Sequence, residues 1–236
     1  MMLGVLGGMG PMATVDFMGK VIRNTPAACD QDHIEMVVCS ATSVPDRTAA
    51  ILDRGCDPLP AMLDALKRLE RSGATCIAIP CNTAHHWHGE LQARTAVPIL
   101  HIVDALADAL TERGQQGTTI GVLATDGTVR AGIYQRRLAK RGFSCAMPDA
   151  SGQAEVMRAI RLVKAGDVDA ATTILNREAQ ALVAGGCSQV AMACTEIPLA
   201  LAAVTGELKP RLLDPTDTLA RACVRSCLAV PQRRVA

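Results

Sequence analysis

The chain is poor in aromatic residues, with one Trp, one Tyr and two Phe among 236 residues. That leaves no stacking platform for single-stranded nucleic acid and no interfacial aromatic belt for a bilayer. Net charge is also lacking: 24 Lys and Arg stand against 23 Asp and Glu, a formal balance of +1. Nothing therefore draws the protein electrostatically to nucleic acid or to an anionic membrane. No run approaches the roughly 18 consecutive apolar residues of a membrane span, and the first ten residues have neither the basic start nor the small-residue cleavage site of a secretory signal. The expectation is a soluble, cytoplasmic protein with no nucleic-acid or membrane partner. Ten cysteines fall well short of the roughly 8–10% of a disulfide scaffold, and no C-x-x-C occurs. Reduced thiols are expected, and the question becomes which of them do chemistry, because free Cys is common in interiors for packing alone.

What the chain does have is alternation. Short apolar, β-branched runs recur between stretches of helical spacing, each punctuated by Gly or Pro, which is the pattern of βαβ units and an α/β fold. Strands are predicted over 2–6, 35–40, 75–80 and 98–103, with helices over 11–24, where Pro11 suits a first helical position, and 59–71, where Leu63, Leu66 and Leu69 share a face. A helix from Asp104, read as its N-cap, to Gly114 follows. The pattern then restarts, with strands over 118–125, 143–147 and 188–194 and helices over 128–141, 153–166 and 167–185. Residues 212–214 and a helix over 215–228 are expected to return to the first half, and the tail 232–236 to fray.

The halves resemble each other. Gly4-Val5-Leu6 recurs as Gly121-Val122-Leu123, and Ile77-Ala78-Ile79-Pro80-Cys81-Asn82-Thr83 recurs in outline as Val190-Ala191-Met192-Ala193-Cys194-Thr195-Glu196; the offsets, 117 and 113 positions, agree apart from small insertions. Two units are expected, 1–103 with 210–236 carrying Cys81, and 104–209 carrying Cys194. Each cysteine then stands at the carboxyl end of a strand, the edge where open α/β sheets bind ligands. Two such units facing each other would aim both thiols at one cleft. A thiol at a helix start feels the positive end of the helix dipole, which favours thiolate and lets it act as a base. Asn82, Thr83 and Thr195 supply donors suited to a carboxylate between the thiols. Taken singly, either cysteine is equally an ordinary core residue. Two thiols across one small anion suggest proton removal from one face of a carbon acid and return from the other, with positioning and preorganised donors lowering the barrier.

Other motifs are less specific. Gly8-Met9-Gly10-Pro11-Met12-Ala13 fits G-x-G-x-x-A after a strand, the dinucleotide fingerprint, but the second strand ends in Cys39-Ser40 without the acid that holds a ribose. A turn that receives a small anion, or a purely structural turn, remains open. His85, His86 and His88 cluster without the spacing of a zinc site, and no metal is expected; His85 supporting the Cys81 turn, with His86 and His88 solvated, is the simpler reading. Cys223 and Cys227 read as a packed helical stripe. Arg47 and Lys164 are either surface cations or charges that read an acidic side chain.

Gly7-Gly8-Met9-Gly10-Pro11-Met12-Ala13-Thr14, Pro45-Asp46-Arg47-Thr48, Cys81-Asn82-Thr83-Ala84-His85, Gly121-Val122-Leu123-Ala124-Thr125, Lys164 and Cys194-Thr195-Glu196 together resemble the cofactor-independent aspartate/glutamate racemase superfamily, and within it the aspartate racemase branch, over essentially the whole chain. The resemblance implies two Rossmann-like αβα domains with parallel sheets related by a pseudo-twofold, an active site at their interface, no cofactor, and a homodimer acting on a small-molecule amino acid. By position, Cys81 and Cys194 resemble the acid/base pair that works at Cα from opposite faces. Met9, Asn82, Thr83, Thr125 and Thr195 resemble the carboxylate and backbone contacts. Arg47 and Lys164 resemble the cations that hold a side-chain carboxylate, which favours aspartate. Glutamate racemases typically carry an Asp-Ser-Gly turn and Cys-Thr-His, from which this chain departs. The alternatives are a broad-specificity or glutamate-acting racemase, a relative such as a maleate cis-trans isomerase or a single-thiol decarboxylase, and, from another class, a non-catalytic dicarboxylate-binding protein.

Overall fold

Strand β1 (Met2–Gly7) passes into helix α1 (Pro11–Asn24), where Pro11 at the first helical turn supplies a fixed φ and loses no needed donor. The first half continues with β2 (Glu35–Ser40), α2 (Arg47–Ile51), α3 (Leu59–Arg71), β3 (Cys76–Ala78), a 3-10 segment over Thr83–Trp87, α4 (His88–Gln92) and β4 (Ile99–Leu100). Next come α5 (Ile102–Glu112), β5 (Thr119–Ala124), α6 (Asp126–Arg130), α7 (Ile133–Ala139), β6 (Ser144–Ala146), α8 (Ala150–Ala165), α9 (Val168–Ala184), β7 (Gln189–Ala193), α10 (Glu196–Ala200), β8 (Leu212–Leu213) and α11 (Pro215–Leu228). The computed structural model describes residues 1–229; the tail 232–236 and the end of the 210–236 segment lie outside them.

The strands form two four-stranded parallel sheets, ordered β2-β1-β3-β4 and β6-β5-β7-β8. The second repeats the order of the first, the structural counterpart of the sequence repeat. In each, the strand order reverses between the first and third strands, and the crevice beyond their carboxyl ends is where such sheets take ligands. Met9 and Cys81 follow β1 and β3; Thr125 and Cys194 follow β5 and β7.

Alternation along β1 sends Leu3 and Val5 to a core shared by both sheets and Leu6 to the opposite face. The shared core also holds Ile120, Val122, Ala191 and Ala193 of the second sheet, with α5 and α11 residues such as Leu106, Leu219 and Cys223 between them. Outside it, α3 covers the first sheet with Met62, Ala65, Leu66 and Leu69, and α8 and α9 cover the second with Val156, Ile160, Leu175 and Leu182. The repeated glycines serve this packing: a Cβ on Gly4 would lie 2.8 Å from the Ala74 Cβ, and one on Gly121 3.1 Å from Leu182.

Four expectations are corrected. Leu212–Leu213 pairs in parallel with β7, so it extends the second sheet rather than the first half; only α11 returns, packing on α1 and α5 and reaching β1, β3 and β4. Helix α5 begins at Ile102, because the His101 Nδ1 accepts from the Val103 N–H at 3.1 Å and caps it; Asp104 lies within the first turn and pairs with Arg137. The strand expected over 98–103 shortens to Ile99–Leu100 for the same reason. The helix expected over 128–141 is two, because Gly132 adopts φ 61 between α6 and α7. No helix among the described residues is long and apolar enough to cross a membrane.

Candidate active site

The Gly-rich turn is held by its own contacts. Gly8 has φ 87, and its Cβ would lie 2.4 Å from the Ala41 nitrogen. The Gly8 N–H donates to the Thr14 Oγ1 at 2.8 Å, and the Thr14 hydroxyl donates to the Gly10 carbonyl at 3.0 Å. This knot, with β2 running alongside without an acid at its end, leaves Met9 buried against the cleft.

On the same side, Asp46 caps α2 by accepting from the Ala49 N–H at 2.7 Å. Arg47 folds back, its Nη1 donating to the Val44 and Pro45 carbonyls at 3.0 and 2.9 Å. Its Nε is buried without a partner. Cys81 follows β3, and its carbonyl receives the His85 Nδ1–H at 2.9 Å while the His85 Nε2 accepts from the Ile102 N–H at 3.2 Å. That pair of bonds fixes one neutral tautomer. Burial lowers the His85 pKa to about 3. His85 is therefore a brace behind Cys81, as the simpler reading held. His86 is exposed, whereas His88 is half-buried, bonded to the Ile99 carbonyl at 2.8 Å and packed on His101. With these ring nitrogens on the backbone, the cluster does not assemble a metal ligand set, and no group among the described residues does.

The second half supplies the opposite wall. Thr125 caps α6, accepting from the Thr128 N–H at 3.2 Å. The hydroxyls of Thr83, Thr125 and Thr128 form a triangle of 2.9–3.1 Å across the seam between halves. Gly127 belongs to the same seam: a Cβ there would lie 2.8 Å from the Thr48 Cα. After β7, the Cys194 thiol donates to the Glu196 Oε2 at 3.0 Å, the Thr195 hydroxyl to the same oxygen at 3.1 Å, and the Lys164 Nζ lies 3.9 Å from Oε1.

Both thiols are pushed above the ordinary range, and they differ in the charge beside them. Burial and, more weakly, the Glu196 carboxylate raise the Cys81 thiol against the pull of the Arg47 guanidinium and a backbone hydrogen bond from Ala84. Burial and then the Glu196 carboxylate push Cys194 well above the ordinary thiol range, against the weaker pull of the Glu196 backbone N–H and Lys164.

One cavity of about 30 Å³ is lined by all of Met9, Arg47, Cys81, Asn82, Thr83, Thr125, Lys164, Cys194 and Thr195, together with Asp46, Thr48 and Glu196. Larger grooves, of about 570 Å³ beside Glu178 and about 440 Å³ beside Lys20, hold no pair of thiols. The cavity takes water but not an amino acid, so a substrate must widen the cleft. Sequence reasoning omitted Glu196 from the site although it stands two residues past Cys194, the signal that could have found it. It also missed Tyr134, whose hydroxyl donates to the Asn82 Oδ1 at 2.5 Å from 52 positions away; nothing local in the sequence announces that bond.

The chain belongs to the Asp/Glu/hydantoin racemase family, whose profile matches residues 6–223. It is thus an amino-acid racemase, an isomerase. It is 29% identical over 235 residues to the broad specificity amino-acid racemase RacX of Bacillus subtilis (strain 168), covering 97% of this chain and 99% of that one. Among solved structures it is similar to the Picrophilus torridus aspartate racemase, with 30% identity, TM-score 0.83, and 96% and 94% of the two chains covered. A glutamate racemase from Campylobacter jejuni subsp. jejuni shares the fold at 19% identity and TM-score 0.66, over 96% and 85%.

Proposed function

We propose that the cleft interconverts L- and D-aspartate by proton transfer between two thiols. The observation that carries this reading is the pair itself: Cys81 and Cys194 line one cavity, one beside a guanidinium and the other hydrogen-bonded to a carboxylate. Burial raises both thiols, and Cys81, beside Arg47, is the more readily ionised: in the reactive form Cys81 is the thiolate and Cys194 the thiol, its proton held by Glu196. Cys81 takes the Cα proton from one face, and Cys194 gives its proton to the other. The result is the opposite enantiomer with Cys81 protonated and Cys194 ionised, the arrangement that runs the reverse reaction. No atom beyond the two protons changes hands.

Asn82 and the Thr83, Thr125 and Thr195 hydroxyls offer donors for the α-carboxylate, where negative charge grows as Cα is deprotonated. Met9 closes the apolar side. Arg47 and Lys164 face the side-chain carboxylate. Aspartate as substrate is supported by these cations and by the 30% identity to an aspartate racemase.

A broader specificity is the second reading, favoured by one feature: both cations are engaged, Arg47 with backbone carbonyls and Lys164 beside Glu196, as well as by the likeness to RacX. A chiral product assay over all proteinogenic amino acids separates the two. D-aspartate as the dominant product supports the first, and comparable turnover of neutral amino acids the second. Cys81→Ser and Cys194→Ser should each abolish racemisation while dicarboxylate binding persists; undiminished turnover in either rejects the two-thiol assignment. Isomerisation of maleate without racemisation would assign the cleft to double-bond chemistry, and dicarboxylate binding with no turnover of either kind to a binding protein. The reading includes a homodimer, tested by light scattering: twice the chain's 24.8 kDa supports it, and 24.8 kDa rejects it.

A further inference from the structure

Tyr134 is the chain's only tyrosine. It projects from α7 in the second half and is fully buried, and its phenol donates to the Oδ1 of Asn82 in the first half at 2.5 Å. Asn82 lies directly after Cys81, lines the cavity and is 2% exposed, yet its Nδ2 has no hydrogen-bond partner. A primary amide carries its acceptor at one end and its donors at the other, so the bond that occupies Oδ1 decides which end is left for a ligand. A buried donor without a partner is costly, and a carboxylate oxygen entering the cleft removes that cost.

We propose that Tyr134 is a positioning residue: by holding the Asn82 carbonyl it aims the Asn82 N–H donors at the carboxylate of the bound amino acid. This rests on the reading of Asn82 as a carboxylate contact. Burial keeps the phenol well above its ordinary pKa, so it is a protonated donor at neutral pH. The bond crosses the two halves, so the amide is oriented only when both walls of the cleft are in place.

The test is a double-mutant cycle in the full chain with Tyr134→Phe, Asn82→Ala and the double variant. It reads succinate binding by calorimetry together with kcat and KM for aspartate. Tyr134→Phe should weaken succinate about tenfold, raise KM by a similar factor and lower kcat as well, because the amide's contact with the carboxylate is made in the ground state and strengthens as negative charge grows there. Added to Asn82→Ala, it should cost nothing further, because its effect passes through the amide. A bond that serves only packing would lower the melting temperature and leave succinate affinity and KM alone. That result, or losses that multiply in the double variant, overturns the proposal. Should Tyr134→Phe not fold, Asn82→Asp keeps the acceptor for Tyr134 and lacks the donors; it should fold and lose succinate, and retained affinity overturns the proposal. A wild-type protein that binds succinate but racemises nothing refutes the racemase reading and leaves the binding cycle to decide on Tyr134. Unchanged succinate affinity in Tyr134→Phe refutes the positioning role and leaves racemisation standing.

Discussion

Glu196→Gln removes the charge beside Cys194 while keeping the length of the side chain, and its effect can be sized from the contacts. The Cys194 thiol donates to the Glu196 Oε2 at 3.0 Å, and that carboxylate is, after burial, the largest influence holding the thiol protonated. A hydrogen bond to a charged group contributes about 1.5–3 kcal/mol, and one pKa unit is about 1.4 kcal/mol. A glutamine carbonyl still accepts but no longer repels a thiolate, so the Cys194 pKa should fall by about one to two units. The assay is iodoacetamide alkylation of Cys194 against pH, followed by mass spectrometry in a Cys81→Ser background so that one active-site sulfur reports. The alkylation profile should move about one unit or more toward lower pH. At neutral pH Cys194 stays protonated in the Glu196→Gln protein, so the change should appear in the pH profile of L-to-D turnover in the protein that retains Cys81, whose alkaline fall should move about one unit or more toward lower pH. An unmoved profile, or one displaced upward, would show that Glu196 does not hold the Cys194 proton.

Two further outcomes follow from the same contacts. His85 is neutral in the fold, with a pKa near 3 against the ordinary 6.5, so below pH 6.5 the unfolded chain binds a proton that the folded chain refuses. Its contribution to stability is present above pH 6.5 and is lost as pH falls toward 3, by about 1.4 kcal/mol per pH unit; urea unfolding at pH 7 and 5.5 should show the loss, and His85→Gln should reduce it without abolishing it, because burial lowers the pKa of His88 and His101 as well. On the aspartate reading, Arg47→Leu should lower kcat/KM about 100-fold for aspartate but only about 10-fold for alanine, since the guanidinium would both read the side-chain carboxylate and favour the Cys81 thiolate. Equal losses would leave it only the second role.

Elements with local causes were legible in the sequence. α1, α3 and α11 begin and end at residues 11–24, 59–71 and 215–228, where apolar period and Pro or Gly punctuation coincide, and β2 spans the apolar run at 35–40. The failures were decided by distant partners or by one backbone angle. A two-residue strand at Leu212–Leu213 pairs according to what lies beside it, Gly132 breaks a helix that the apolar pattern continues, and a histidine caps α5 where an acid stood nearby. The site divides in the same way. Cys81 and Cys194 stood out because they recur at matching strand ends. Met9 and Thr125 came from the family resemblance, which also chose between the two readings that the residues alone left for Arg47 and Lys164, and all nine predicted site residues line one cavity. Tyr134 acts through a bond that exists only after the halves meet, whereas Glu196 acts on its own neighbours Cys194 and Thr195.

The central claim is that the proton leaves one face of Cα to one sulfur and arrives from another sulfur on the opposite face. Its most direct measurement is L-aspartate racemisation in D₂O at early times, with deuterium at Cα determined separately in each enantiomer. Two thiols predict deuterium in essentially every D-aspartate formed and almost none in the L-aspartate recovered. Deuterium appearing equally in both would mean a single base serving both faces, and would contradict the assignment of Cys81 and Cys194 as opposed partners.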